Sequence, residues 1–137
     1  MYPIDVNYLA VAAAAILAFG FGSLWYGVVF AKPWMSAQGF TREELEADSR
    51  NMGRTFGLTF LAYLFLALVM AMLVDITGPE TVNQGLWLGL MAWFGFMVPV
   101  NLTGVLYARK GLSLFVIDAV YQLCIALMVA AVVTAWR

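Results

Sequence analysis

Histidine is absent from this chain of 137 residues, and cysteine occurs once, at Cys124. Without histidine there is no imidazole for acid–base catalysis and no ligand for histidine-bound zinc or haem. A single cysteine excludes an intrachain disulfide and a thiolate-rich metal site. No glycine-rich nucleotide loop is evident either. We therefore expect no enzyme, no catalytic residue, no metal and no cofactor.

Charge is also scarce. Only 11% of the residues are charged, the net charge is −1, and 64% are apolar. Soluble domains are typically about 25% charged and about 45–50% apolar. A small soluble domain has too little interior to hide so much apolar surface. This composition predicts the lipid bilayer as the main environment and makes nucleic acid an unlikely partner.

Four apolar segments are each close to the roughly 20 residues that cross a bilayer as a helix. Proline and glycine residues separate them, as expected at helix ends. The sequence thus predicts an all-α, integral membrane four-helix bundle in one transmembrane domain, residues 1–137. The predicted helices are about 7–30, 55–76, 84–107 and 112–136.

The one long connection, residues 31–54, holds most of the charge. Thr41 and Glu44 in it match a capping box, which predicts a short cytoplasmic interfacial helix between helices 1 and 2. The opposite side of the predicted topology has only Arg137 as a basic residue. The positive-inside rule therefore predicts both termini outside and both charged loops in the cytoplasm. The basic residues of those loops are Lys32, Arg42, Arg50, Arg54, Arg109 and Lys110.

Asp118 is the one acidic residue well inside an apolar segment. A carboxylate at the centre of a membrane helix costs about 2.5–3.5 kcal/mol on insertion scales, so a partner is expected. Asn101 is equally far from the turn between helices 3 and 4, and we expect its amide to donate a hydrogen bond to Asp118. Tyr121 and Gln122 lie nearby on helix 4, and Tyr26 lies at a comparable depth on helix 1.

Two interpretations of these polar side chains remain open. In the first, they form a satisfied network that fixes helix packing. In the second, they line a hydrated pocket for a proton, an ion or a small solute, with Asp118 as the titrating group. Pro99, in the same region of helix 3, predicts a kink because it leaves the carbonyl of Gly95 without its usual donor.

Gly85 and Gly89 form a small-xxx-small motif near the start of helix 3. Such a motif permits close helix contacts, either within the bundle or between copies of the chain. The sequence alone does not choose between the two.

Three stretches resemble the recurring motifs of a bacterial family of small membrane proteins catalogued as domain of unknown function 1761. The resemblance covers nearly the whole chain and implies a four-helix bacterial membrane protein, without implying an activity. In the family pattern a histidine often follows the tyrosine that matches Tyr121, where this chain has Gln122. The stretches are Trp25–Gly27 with Phe30–Met35, Gly95–Pro99, and Phe115–Tyr121.

We therefore expect a multi-pass protein of the bacterial cytoplasmic (inner) membrane. One predicted function is permeation or transport of a proton, an ion or a small solute by a homo-oligomer, because four short helices enclose little space. The alternative is a non-catalytic accessory or assembly subunit bound to another membrane protein. A face of small and aromatic residues on one helix would favour the second.

Overall fold

The computed structural model describes residues 4–39 and 52–137 of the chain. All regular structure in these two ranges is helical. Two five-residue π-helical turns, Trp25–Val29 and Trp93–Met97, interrupt the α-helices. The α-helices are α1 (Tyr8–Leu24), α2 (Ala31–Gln38), α3 (Met52–Thr77), α4 (Val82–Ala92), α5 (Val98–Tyr107) and α6 (Leu112–Ala135).

Four helical stretches are long and apolar enough to cross a membrane, as predicted. We call them the first to fourth spans. The first joins α1 to its π turn, and the third joins α4 and α5 through the second π turn. The spans are Tyr8–Val29, Gly53–Thr77, Val82–Tyr107 and Leu112–Ala135.

Local sequence accounts for where the spans begin and end. The Asn7 side chain caps the first span by accepting from the backbone N–H of Leu9, at 3.1 Å. Thr81 caps the third span in the same way. Gly78 adopts a positive φ of 63° directly after α3, a conformation that glycine allows at little cost.

The fourth span is central, because it packs against each of the other three. The first and second spans form one closely packed pair, and the third and fourth form another. Small side chains fill the contact surfaces and let the backbones approach each other. The fully buried residues on these surfaces include Ala14, Ala18, Ala67, Ala126 and Ala130, together with the larger Ile125 and Val129.

Gly85 and Gly89 serve packing within the bundle. Both are buried against the fourth span. A Cβ atom at Gly89 would lie 2.8 Å from the carbonyl oxygen of Ala126 and 2.8 Å from the Cβ of Ala130. One at Gly85 would collide with the side chain of Thr134. The small-xxx-small motif therefore brings the third and fourth spans together.

Contacts at one end of the bundle join the start of the first span to the end of the fourth. The backbone N–H of Asp5 donates to Asp75 at 3.1 Å, and Arg137 pairs with the same carboxylate at 3.7 Å. The side chain of Asn7 donates to the carbonyl of Trp136. The side of the membrane on which this end lies remains a prediction from charge.

The connection between the first two spans begins with α2. Pro33 lies in the first turn of α2, where a missing N–H costs no intrahelical hydrogen bond. The helix ends at Gly39, whose φ is +77°. The capping box at Thr41 and Glu44, and the interfacial helix predicted from it, lie outside the described residues.

The third span is interrupted where Pro99 predicted a kink. The backbone N–H of Val98 bonds to the carbonyl of Trp93, five residues earlier, and α5 then begins with Pro99 in its first turn. Proline supplies no N–H and its ring crowds the preceding turn. The wider π turn accommodates that disruption.

Candidate functional site

Asp118 accepts a hydrogen bond from the hydroxyl of Tyr26, with the two oxygens 2.6 Å apart. The contact joins the fourth span to the π turn of the first, across 92 residues of sequence. No lysine or arginine among the described residues lies within ion-pairing distance of this carboxyl. A neutral hydroxyl is thus the partner that the structure provides for the acidic group of the fourth span.

Asn101 is not the donor to Asp118, so that prediction is wrong. The Nδ2 atom of Asn101 is buried and has no hydrogen-bond partner among the described residues. Equal distance from the turn gives the two residues similar depths but does not make their side chains face each other. Asp118 faces the first span, whereas Asn101 lies in a groove that Gln122 also lines.

Tyr121 forms a second polar contact beside the first. Its hydroxyl is hydrogen-bonded to that of Tyr63 on the second span, and it lies 3.5 Å from the carbonyl of Ala18. The Tyr121 ring is buried and meets the Tyr26 ring edge-on, with centroids 4.9 Å apart. The two hydroxyl contacts are therefore neighbours, held together by aromatic packing.

Gly22 makes room for the pair of tyrosine hydroxyls. A Cβ atom at this position would lie 2.5 Å from the Tyr121 hydroxyl oxygen and 3.5 Å from that of Tyr63. Gly20, on the same helix, has open space at its Cβ position. The absence of a side chain at Gly22 thus permits three spans to meet at one point.

Ser23 and Thr59, which lie at a similar depth, are not part of this contact. Each hydroxyl donates to a carbonyl one turn earlier in its own helix: Ser23 to Phe19 at 3.1 Å, and Thr59 to Thr55 at 2.7 Å. These hydrogen bonds within each helix satisfy both hydroxyls, as is common for serine and threonine inside helices.

Trp93 is a site residue that the sequence reasoning missed. Its indole N–H donates to the backbone carbonyl of Ala119 at 2.8 Å. Each π turn therefore supplies an aromatic donor to the same short stretch of the fourth span, Tyr26 to Asp118 and Trp93 to Ala119. A sequence signal was present, because both turns begin with tryptophan, a second aromatic residue and glycine.

A groove of about 550 Å³ lies between the third and fourth spans and reaches α2. Asn101 Nδ2 and Gln122 Oε1 make no hydrogen bond to a described residue, and leaving such atoms buried costs about 1–3 kcal/mol each. Lys110 stands at one end and donates to the carbonyl of Gln38 at 2.7 Å. The rest of the wall is mainly apolar: Phe96, Met97, Val100, Val105 and Leu114.

No group of three or more metal-ligating side chains occurs within residues 4–39 and 52–137. Cys124 is a free, half-buried thiol in the fourth span. The polar features that join the spans near Asp118 thus include two hydroxyl-centred contacts and the Trp93 indole contact, and the groove lies beside them.

These features define a four-span helical protein with a carboxyl–hydroxyl pair between its spans. A family model described as "Protein of unknown function (DUF1761)" matches residues 9–134, and the chain belongs to this family. No curated protein and no solved structure matches it.

Proposed function

We propose that the protein is a non-enzymatic, multi-pass protein of the bacterial cytoplasmic membrane that moves protons, alone or with a small solute, as a homo-oligomer. The observation that carries this proposal is the Tyr26–Asp118 hydrogen bond of 2.6 Å between two apolar spans. An ionisable group in such a place is costly and commonly marks a proton or ion pathway.

Chemically, the pair can take up and release one proton. The neutral acid and the carboxylate both accept from the Tyr26 hydroxyl, so the contact can persist through proton exchange. The hydroxyls of Tyr63 and Tyr121 form a second hydrogen-bonded pair close by. No hydrogen bond between described residues joins the two pairs, so we expect water or a movement of the first span to complete the path.

Assembly of several copies is part of the proposal. A bundle of four helices around a packed core has little room for a passage of its own. The third span is the most exposed of the four, because only 11% of its 18-residue apolar stretch is buried. A pathway between copies would make use of that exposed span.

The test is proton flux into vesicles that contain the purified protein and a trapped pH-sensitive dye, with flux driven by a membrane potential. Asp118→Asn retains an oxygen that accepts from Tyr26, so we expect it to fold. We expect its flux to fall at least about tenfold, the effect of losing an essential proton carrier. Glu80→Gln, which removes an exposed carboxylate, should match the wild type. Wild-type flux no faster than in empty vesicles, or unchanged flux in Asp118→Asn, would overturn the proposal.

The alternative is a non-catalytic accessory or assembly subunit, and one observation favours it. The third span exposes large apolar side chains beside glycines whose Cβ positions are open, at Gly95 and Gly104. Small and aromatic residues together suit close contact with another helix in a membrane. Phe94 and Phe96 are 70% and 74% exposed.

Native mass spectrometry of protein extracted gently from its own membrane separates the two functions. A homo-oligomer supports transport. A complex of fixed stoichiometry with a different membrane protein supports the accessory role and contradicts the homo-oligomer.

A further inference from the structure

Arg109 occupies a backbone position that usually belongs to glycine. It lies in the turn after α5 and has a φ of 59°, the one positive φ of a non-glycine residue in the described chain. The backbone N–H of Lys110 donates to the carbonyl of Val105 at 3.0 Å, so the third span ends in a left-handed cap. A side chain is disfavoured in this conformation, whereas glycine adopts it readily. Folding of the turn alone therefore favours glycine at this position.

Membrane topology does not require an arginine at this position either. The positive-inside rule counts the basic residues near the end of a span, whatever their backbone conformation. Ala108 is exposed and right-handed, with φ −75° and ψ −5°, at a helix C-terminus where a basic side chain is favourable. An arginine there would give the turn the same charge without the strain. Position 109 differs in the direction that it gives to the guanidinium group.

The side chains of the turn are available to an anion. Arg109 is exposed and forms no hydrogen bond or ion pair with a described residue. Lys110 uses one of its three N–H donors on the carbonyl of Gln38, at 2.7 Å, and pairs with no described acidic residue. The backbone N–H groups of residues 108–110 are all used within the cap. An anion at this turn would therefore be bound by the two basic side chains.

The turn lies at the depth of lipid head groups. Only residues 108–111 separate the end of the third span at Tyr107 from the start of the fourth at Leu112, and both of these side chains are largely exposed. Hydrocarbon suits an exposed leucine, and its edge suits a tyrosine. Arg109 is two residues beyond Tyr107 and so at most about 7 Å beyond that edge. The head-group layer is about 5–7 Å thick on each side, so a lipid phosphate is within reach of Arg109.

We propose that Arg109, together with Lys110, binds the phosphate of an anionic phospholipid head group at this end of the bundle. The guanidinium fork matches two phosphate oxygens, and the ammonium group adds a second charge. Two adjacent cations favour a lipid with a net negative charge over a zwitterionic one, whose own cation they repel. The proposal does not involve Asp118 and is independent of proton movement.

The experiment is native mass spectrometry of the purified full-length protein in detergent. The protein is titrated with phosphatidylglycerol or with phosphatidylcholine of identical acyl chains, and the binding constant of the first lipid is measured. We expect phosphatidylglycerol to bind about tenfold more tightly, and we expect Arg109→Gln to lose most of this preference. Arg54→Gln removes an exposed arginine at the start of the second span and should keep it. Glycerophosphoglycerol, the head group without acyl chains, should not bind at concentrations that saturate the lipid site.

A second variant separates the site from its charge. Ala108→Arg combined with Arg109→Gly keeps the charge of the turn and moves it by one residue. We expect its Tm in detergent to rise by about 2–8 °C because the left-handed arginine is gone. Its preference for phosphatidylglycerol should fall at least about fivefold, because the guanidinium now points in another direction.

Several outcomes would overturn the proposal. These are equal affinity of the wild type for the two lipids, or an undiminished preference in Arg109→Gln or in the double variant. Binding of glycerophosphoglycerol as tight as that of the lipid would refute a lipid as the ligand. An unchanged Tm in the double variant would show that Arg109 is not strained. Asp118→Asn should bind both lipids as the wild type does, so failure here is distinguishable from failure of proton transport.

Discussion

Gly89 offers the most direct test of how the third and fourth spans pack. An alanine there would place its Cβ 2.8 Å from the Ala126 carbonyl oxygen and 2.8 Å from the Ala130 Cβ. Ordinary carbon contacts are about 3.5–4.0 Å, so the two helices would have to separate by several tenths of an ångström. The obstructing oxygen belongs to the backbone and cannot swing aside as a side chain would.

The expected change in the free energy of unfolding of Gly89→Ala follows from two opposing effects. Overpacking of a close contact costs about 1–3 kcal/mol. Replacing glycine by alanine inside a helix stabilises the helix by about 1 kcal/mol. Gly104→Ala, also on the third span, meets no atom within 4 Å and so receives only the favourable contribution. The difference in unfolding free energy between the two variants thus isolates the packing cost, about 1–3 kcal/mol.

Cys124 makes the assay simple. It is the only cysteine, and it is half-buried in the fourth span, so a thiol-reactive fluorogenic dye reports unfolding on heating in detergent. We expect Gly104→Ala to have the highest Tm, the wild type the next highest and Gly89→Ala the lowest. A change of about 1 kcal/mol in the free energy of unfolding corresponds to about 2–8 °C in Tm. If both variants raised the Tm equally, the close approach of the third and fourth spans at Gly89 would be refuted.

The other predictions concern the tyrosine hydroxyls. Tyr26→Phe removes the one side chain that donates to the Asp118 carboxyl among the described residues and should lower the unfolding free energy by about 1–3 kcal/mol, whereas Tyr107→Phe, at an 89% exposed ring, should leave the Tm unchanged. Equal Tm values for these variants would show that the carboxyl does not depend on the hydroxyl. For Tyr63 and Tyr121, whose hydroxyls bond to each other, a double-mutant cycle with phenylalanine should show a coupling of about 0.5–3 kcal/mol, and simple additivity would contradict the contact.

The four helices were predictable because length and composition determine them almost alone. A run of about 20 apolar residues bounded by proline, glycine and charge has few alternatives to a membrane helix. Each span ends within two residues of its predicted boundary, as in the third, which was predicted as 84–107 and observed as Val82–Tyr107. The π turns were not predictable in the same way, since their hydropathy is that of the surrounding α-helix.

The hydrogen-bond partner of Asp118 could not be predicted from the sequence. Distance from a turn gives depth along a helix pair, and Asn101 has the right depth. The direction in which each side chain points depends on how the fourth span rotates against its neighbours, and every face of that span is apolar enough to be buried. Tyr26 was among the candidates at comparable depth, but only packing could show that its hydroxyl, and not the Asn101 amide, reaches the carboxyl.

The two π turns have similar sequences but different consequences. Trp25–Val29 and Trp93–Met97 each begin with tryptophan, an aromatic residue and glycine, and each contacts the fourth span near Asp118. At the second position, however, the first turn has Tyr26, whereas the third span has Phe94, which has no hydroxyl and is 70% exposed.

The first turn therefore donates a hydrogen bond to an ionisable side chain, whereas the second donates one to a backbone carbonyl. A π turn is a less stable geometry than the α-helix and is often found at functional sites. If proton exchange at the carboxyl is coupled to a movement, the turn that can respond is the one whose hydrogen bond involves the titrating group. We therefore expect the first span to move and the third, fixed to a carbonyl that does not titrate, to stay in place.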